Sequence, residues 1–188
     1  MKQFARAILS GVLISAGAWA YAVVGGVVGA ILFSFGLITI LCLGTPLYTG
    51  CVGSTTFKRD DLWFVVKTLF GNLIGCLLIS LIFTGDVDSL TAVEATKMSK
   101  GFLEILGRAI MCGLIVDVSV YIYKNFPSFN PVPVLIGVPL FILSGFYHSI
   151  AEPFYIFSSK MFTLDALAYW GIVLLGNTIG CNIRRFLL

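Results

Sequence analysis

A six-residue phrase occurs twice in this chain of 188 residues, as Gly71-Asn72-Leu73-Ile74-Gly75-Cys76 and as Gly176-Asn177-Thr178-Ile179-Gly180-Cys181. The copies begin at 71 and 176, an offset of 105 residues, so the chain reads as two versions of one unit, approximately 1–84 and 97–188. Each unit also carries an apolar segment broken in its middle. The break in the first is Gly44-Thr45-Pro46-Leu47-Tyr48-Thr49-Gly50, and in the second it is Gly145-Phe146-Tyr147-His148-Ser149-Ile150-Ala151-Glu152-Pro153.

Hydrophobic residues form 59% of the chain and charged residues 11%, and no charge occurs between Ala7 and Phe57. That run is too long for one bilayer crossing of ~20 residues and fits two joined by a tight turn. The chain therefore reads as an all-α integral membrane protein. Lys2 and Arg6 followed by an apolar run to Ala18-Trp19-Ala20 resemble a signal peptide, but apolar sequence continues beyond it, so the segment is read as the first span. Hydropathy, with Gly, Pro and charge as punctuation, places six spans near Ala7–Val24, Val28–Phe57, Leu62–Phe83, Gly101–Tyr123, Val132–Phe157 and Ala166–Ile183.

With the N-terminus inside, Lys2, Arg6, Lys58, Arg59, Lys124, Arg184 and Arg185 fall on the cytoplasmic side, against Lys97, Lys100 and Lys160 outside. The positive-inside rule favours this orientation, with both termini cytoplasmic. Three spans per unit is an odd number, so the second unit starts from the opposite face and the repeat is inverted, 3+3. Broken second and fifth spans then meet from opposite sides. Their freed backbone groups cannot face lipid, so they are buried in protein or line a cavity. Such paired breaks point to a solute site near the bilayer midplane.

Gly71/Gly75 and Gly176/Gly180 put two glycines on one helical face, a spacing suited to close helix packing. Asn72 and Asn177 lie between them and need hydrogen-bonding partners; bracing of the breaks and contact with a solute are both consistent with that position. His148, the one histidine, sits in the second break, where an ionisable group is a functional candidate. Its alternative is a buried ring satisfied by a neighbouring carbonyl. Glu104 and Arg108, four apart, suit a helical ion pair. Asp117 is out of phase with Arg108 and approaches the cytoplasmic boundary, Lys67 extends toward the interface, and Trp19, Trp63 and Trp170 read as packing or interface residues. Cys42, Cys51, Cys76, Cys112 and Cys181 show no metal-ligand spacing and read as packing residues. A phosphate-binding glycine loop, a nucleophile–base pair and a long basic run are all missing from the sequence, so it argues against an enzyme, a cofactor, a bound metal and a nucleic-acid partner.

Leu47-Tyr48-Thr49-Gly50, Gly71-Asn72-Leu73-Ile74-Gly75, Gly145-Phe146-Tyr147-His148-Ser149-Ile150-Ala151 and Gly176-Asn177-Thr178-Ile179-Gly180, in that order, resemble the formate/nitrite transporter family over nearly the whole chain. The resemblance implies an aquaporin-like fold, a homopentamer with one pore per protomer, and passage of small monovalent anions such as formate, nitrite, lactate or hydrosulfide, often with protons. It assigns pore roles to Thr49, His148 and Lys97, the last because Lys97-Met98-Ser99-Lys100-Gly101-Phe102-Leu103-Glu104 resembles the family's lysine-to-Phe-x-Glu spacing. Apolar constrictions on either side of the central site draw on Phe33, Leu37, Leu47 and Phe141. Three positions depart from the family pattern. Glu152, followed by Pro153, replaces an asparagine four residues after the histidine; Gly113 aligns with an asparagine; and Thr45-Pro46 replaces a small-acidic pair.

The expectation is a multi-pass protein of a bacterial inner membrane, in contact with lipid, that passes a small monovalent anion or its conjugate weak acid passively or with protons. Lys97 would raise anion concentration at the outer mouth, while Thr49 and His148 act between apolar gates and Glu152 alters pore polarity. A channel for ammonia/ammonium or urea, motivated by Glu152 near His148, and a non-conducting scaffold are the competing readings.

Overall fold

Apolar segments with no water as partner must satisfy their own backbone groups, and an α-helix does so within one segment. The computed structural model describes residues 1–56, 58–82 and 87–187, and among these it holds nine α-helices, one short 3-10 turn and no strand. The expected span ends at Phe57 and Phe83, the repeat boundary at 84 and the terminal residue 188 lie outside the described residues.

In chain order the helices are α1 (Lys2–Val24), α2 (Gly26–Leu43), α3 (Tyr48–Val52), α4 (Arg59–Ile82), α5 (Val87–Met98), α6 (Phe102–Asn125), α7 (Val132–Leu143), α8 (Ala151–Ser158) and α9 (Leu164–Leu187). Five of them, α1, α2, α4, α6 and α9, are long and apolar enough to cross a membrane. The fifth expected span, Val132–Phe157, is divided between α7, with 12 residues, and α8, with 8. Neither alone reaches the ~20 residues of a full crossing. The sequence reading did not anticipate α5, which lies between the two halves.

The packing pairs off between halves. α1 packs on α2 and α4 as α6 packs on α7 and α9; α2 meets α7; α3 lies against α9 while α8 lies against α4. Each short helix is thus held by the last long helix of the other half. α4 and α9, which carry the repeated phrase, approach α1 and α6 closely. A Cβ on Gly75 would stand 2.2 Å from Ile8 O, and one on Gly180 would stand 2.1 Å from Ile110 O.

α2 and α7 end at the two breaks. Gly44, with φ of 62°, follows α2, and Gly145, with φ of 68°, lies two residues past the end of α7. Both occupy the left-handed region, which costs glycine little and other residues more. Arg6 donates to the carbonyls of Leu43 and Gly44, and Arg108 donates to that of Gly145, so each freed carbonyl group meets a guanidinium from the first long helix of its own half. The core around the breaks is apolar and includes Phe33, Leu37, Val138, Phe141 and Phe154, while Phe35, Phe70, Leu81, Ile136 and Leu167 face outward.

Candidate pore site

The two asparagines of the repeated phrase are buried and make matching bonds. Asn72 accepts from Tyr48 N at 2.9 Å and donates to Ala7 O at 2.8 Å and Pro46 O at 3.2 Å. Asn177 accepts from Ser149 N at 2.9 Å and donates to Ala109 O at 2.9 Å and Tyr147 O at 2.8 Å. Each amide therefore ties the link after a broken helix to the first long helix of its half, using both its donor and its acceptor. Neither lines the cavities described below. Trp170, expected as a packing residue, also donates, from Nε1 to Ser149 O at 2.8 Å.

Braced in this way, the two links bring Thr49 and His148 together. Both are buried, and His148 Nε2 lies 3.4 Å from Thr49 Oγ1. The other ring nitrogen, Nδ1, lies 3.3 Å from the amides of Ile150 and of Ala151. Backbone amides only donate, so Nδ1 accepts and carries no proton, and the ring is the neutral tautomer with its proton on Nε2. That proton points to Thr49. Phe141 stacks on His148 with centroids 5.7 Å apart and meets Phe33 edge-on at 6.1 Å.

One cavity has His148 in its wall, and a second is lined by Leu47 and Gly50 from the link that carries Thr49. The first, of about 370 Å³, is lined by Phe33, Phe141, His148, Glu152, Lys97 and Glu94, with Tyr21, Tyr147 and Tyr155 beside them. The other, of about 220 Å³, is lined by Leu37, Leu47, Thr45, Pro46, Gly44 and Lys124. The four apolar residues expected to form constrictions are all buried and divide between the cavities, Phe33 and Phe141 in the larger, Leu37 and Leu47 in the smaller.

Lys97 lies in the last turn of α5 and is paired twice. Its Nζ is 2.6 Å from Glu94 Oε1 and 3.0 Å from Glu152 Oε2, and it stands over the Tyr155 ring at 4.7 Å. Tyr169 donates to Glu152 Oε2 at 2.9 Å. Burial works against the Lys97 ammonium, but the carboxylates of Glu152 and Glu94 outweigh it and hold the group above the usual lysine range. The sequence reading expected Lys97 to raise anion concentration at the outer mouth and did not pair it with either carboxylate. Glu94 was missed because its segment read as a connecting loop; the signal available was its i,i+3 spacing to Lys97, which a helix places side by side.

The Glu104–Arg108 pair forms, at 2.9 Å, and Lys100 joins it at 2.9 Å. Asp117 finds a partner that spacing along α6 did not reveal, Arg184 of α9 at 2.7 Å. All five cysteines are free.

A profile of the formate/nitrite transporter family matches residues 1–187. The chain belongs to the formate/nitrite transporter family. It is 30% identical over 148 residues to the formate channel FocB of Escherichia coli, covering 69% of this chain and 52% of that protein. It is 29% identical over 150 residues to the formate channel FocA of Haemophilus influenzae, again covering 69% of this chain and 52% of that one. The chain thus spans about half the length of these curated relatives. Its fold is that of a solved pentameric formate channel with formate bound, at a TM-score of 0.84 and 23% identity, covering 99% of this chain and 94% of that one. As a member of this transporter family, with five helices of spanning length, it is an integral membrane protein.

Within the formate/nitrite transporter pattern, the Gly113 departure has a packing cause. A Cβ there would lie 2.5 Å from Asn177 O, and a Cβ on Gly11 in the other half would lie 2.0 Å from Asn72 O. An asparagine does not fit unless α6 and α9 separate, so this departure bears on helix packing. Gly113→Ala is expected to destabilise the protein by about 1–3 kcal/mol through overpacking. Gly107→Ala on the same helix has open space and serves as the control; equal melting temperatures for the two variants in detergent would overturn the packing account. Thr45 and Pro46 do line the smaller cavity, where Thr45 accepts from Ser10 at 2.8 Å. Glu152 lines the larger one as a neutralised partner of Lys97.

Proposed function

We propose that this chain forms a channel for a small monovalent anion or its conjugate weak acid, with formate the first candidate and nitrite and hydrosulfide the next. The reading rests on one observation in a member of this family: a neutral imidazole, its proton directed at a buried threonine hydroxyl, forms part of the wall of one cavity, beside Phe33 and Phe141, while Leu47, two residues before that threonine, lines a second.

The energetics favour passage as the neutral acid. A bare charge at the bilayer centre costs ~3 to over 10 kcal/mol. Two hydrogen bonds to a charged solute, from His148 and Thr49, return about 1.5–3 kcal/mol each, roughly 3–6 kcal/mol together, which meets the lower end of that cost and falls short of the upper. The shortfall is removed when the solute carries a proton through the Phe33–Phe141 and Leu37–Leu47 constrictions and exchanges hydrogen bonds with Nε2–H and the hydroxyl between them.

The matching pairs of helix contacts and the matching asparagine bonds support an inverted 3+3 repeat with six crossings, the second made of α2 with α3 and the fifth of α7 with α8. Lys124 lines the smaller cavity and Arg6 donates to Gly44 O in its wall, which supports a cytoplasmic position for that cavity and for both termini under the positive-inside rule. The larger cavity then faces outward, in a bacterial inner membrane. A homopentamer is proposed from the solved channel of the same fold.

The test is flux through purified protein in liposomes, with formate, nitrite, hydrosulfide, ammonium and urea compared. Formate or nitrite flux is expected, reduced about tenfold by Thr49→Val, as the loss of about 1.4 kcal/mol of hydrogen bonding predicts. Two carboxylates beside one lysine favour a second reading, an ammonium channel. Ammonium flux with none of the anions would replace the first reading by the second, and no flux at all would leave a scaffold.

A further inference from the structure

The charges in the larger cavity do not cancel when all are ionised. Lys97 is bracketed by two carboxylates, Glu94 on its own helix and Glu152 on α8, leaving one net negative charge at the entrance of a channel proposed for anions. The two carboxylates are not equivalent. Glu152 is satisfied by Lys97 on both oxygens and by Tyr169, whereas Glu94 spends Oε1 on Lys97 and leaves Oε2 buried, with no hydrogen-bond partner among the described residues. Glu94 itself is 1% exposed. A buried carboxylate oxygen without a partner is costly, and a proton on Glu94 lowers that cost while making the trio neutral.

We infer that Glu94 is a specificity-determining residue of the pore entrance, whose carboxyl sets the net charge that an arriving solute meets. With Glu94 protonated, the entrance is neutral and admits an anion toward Lys97; with Glu94 ionised, it is net negative, repels anions and favours cations. The inference rests on the proposed anion channel and deepens it by naming a residue of its entrance. The ionisable groups around Glu94 are Lys97 on α5, Glu152 and Tyr155 on α8 and Tyr169 on α9, with His148, Tyr147 and Tyr21 lining the same cavity. Burial pushes the Glu94 carboxyl up to about 8, helped by the Glu152 carboxylate and opposed by Lys97. The proton is therefore held below that pH and released above it, which puts the change within a physiological range.

Charge counting defines the experiment. Above the Glu94 midpoint the trio is net negative by one in the parent, neutral in Glu94→Gln or Glu152→Gln, and net positive by one in the double variant. Formate uptake into liposomes held at equal pH on both faces is measured for the four proteins between about pH 6 and about pH 9. Taking each variant as a ratio to the parent cancels the titration of formate itself. The Glu94→Gln ratio is expected to rise about tenfold across this range, the lower end of what one charge does in a focusing cleft, and to shrink at high salt. Glu152→Gln is expected to give a rise of the same size, which tests the count independently should Glu94→Gln fail to fold, and the double variant a larger one at about pH 9. Ratios that do not change with pH, or two single variants whose ratios move in opposite directions, overturn the inference. A parent that carries no formate at any pH overturns the proposed function instead.

Discussion

His148→Asn is expected to cut solute flux about a hundredfold while the protein remains nearly as stable as the parent. The asparagine Oδ1 occupies the place of Nδ1 and still accepts from the amides of Ile150 and Ala151 at the start of α8. What disappears is Nε2–H, the donor that faces Thr49 between the apolar walls. A neutral acid whose acceptor is left unpaired in a water-poor constriction forfeits about 1–3 kcal/mol, or roughly five- to over a hundredfold in rate. His148→Phe is the informative companion. It fills the space against Phe141 but removes both nitrogens, so it is expected to lose flux and also stability, because Ile150 N–H loses its acceptor. Liposome flux and thermal melting in detergent separate the two effects. Flux in His148→Asn within about twofold of the parent, below the loss of a single neutral hydrogen bond, would remove the imidazole from the mechanism.

Asn177→Leu is expected to destabilise the protein by about 3 kcal/mol or more and to abolish flux with it. The leucine has nearly the same shape, so the loss is polar. Ser149 N–H loses its acceptor and Tyr147 O loses its donor, both in buried backbone that lies outside any helix. Asn72→Leu is expected to cost a similar amount, because Tyr48 N–H and Pro46 O stand in the same relation to Asn72. Similar losses of stability for the two variants would tie the repeated phrase to the two breaks. A neutral Asn177→Leu would mean that the links are held by something other than these amides.

Much of the architecture was legible in the sequence because it rests on short-range patterns. The repeated Gly-Asn-x-Ile-Gly-Cys phrase, the two punctuated apolar segments and the uncharged run from Ala7 to Phe57 each follow from rules that act over one or two helical turns. His148 and Thr49 stood out for a related reason, since each is a polar residue in an apolar segment at a break. The rest of the site was illegible for the opposite reason. Glu94 and Lys97 belong to a segment of low hydropathy that reads as a connecting loop, and nothing local reveals that α8 and α9 bury it. Asp117 had no partner in phase along its own helix, and Arg184 reaches it only once α6 and α9 pack.

The sequence by itself determined that this chain is a helical membrane protein and which family it belongs to, and it carried the repeated phrase and the two punctuated apolar segments from which the repeat is proposed. Tertiary structure decided how the charges are shared. Lys97 became the centre of an ionic trio with two buried carboxylates because α5 folds against α8 and places it 3.0 Å from Glu152, a residue 55 positions away. Gly113 became a contact point because α9 runs against it, leaving no room for a Cβ. Both outcomes have one physical cause: periodicity and propensity act between near neighbours in the chain, whereas the energy of a buried charge or a missing atom depends on what packing brings beside it.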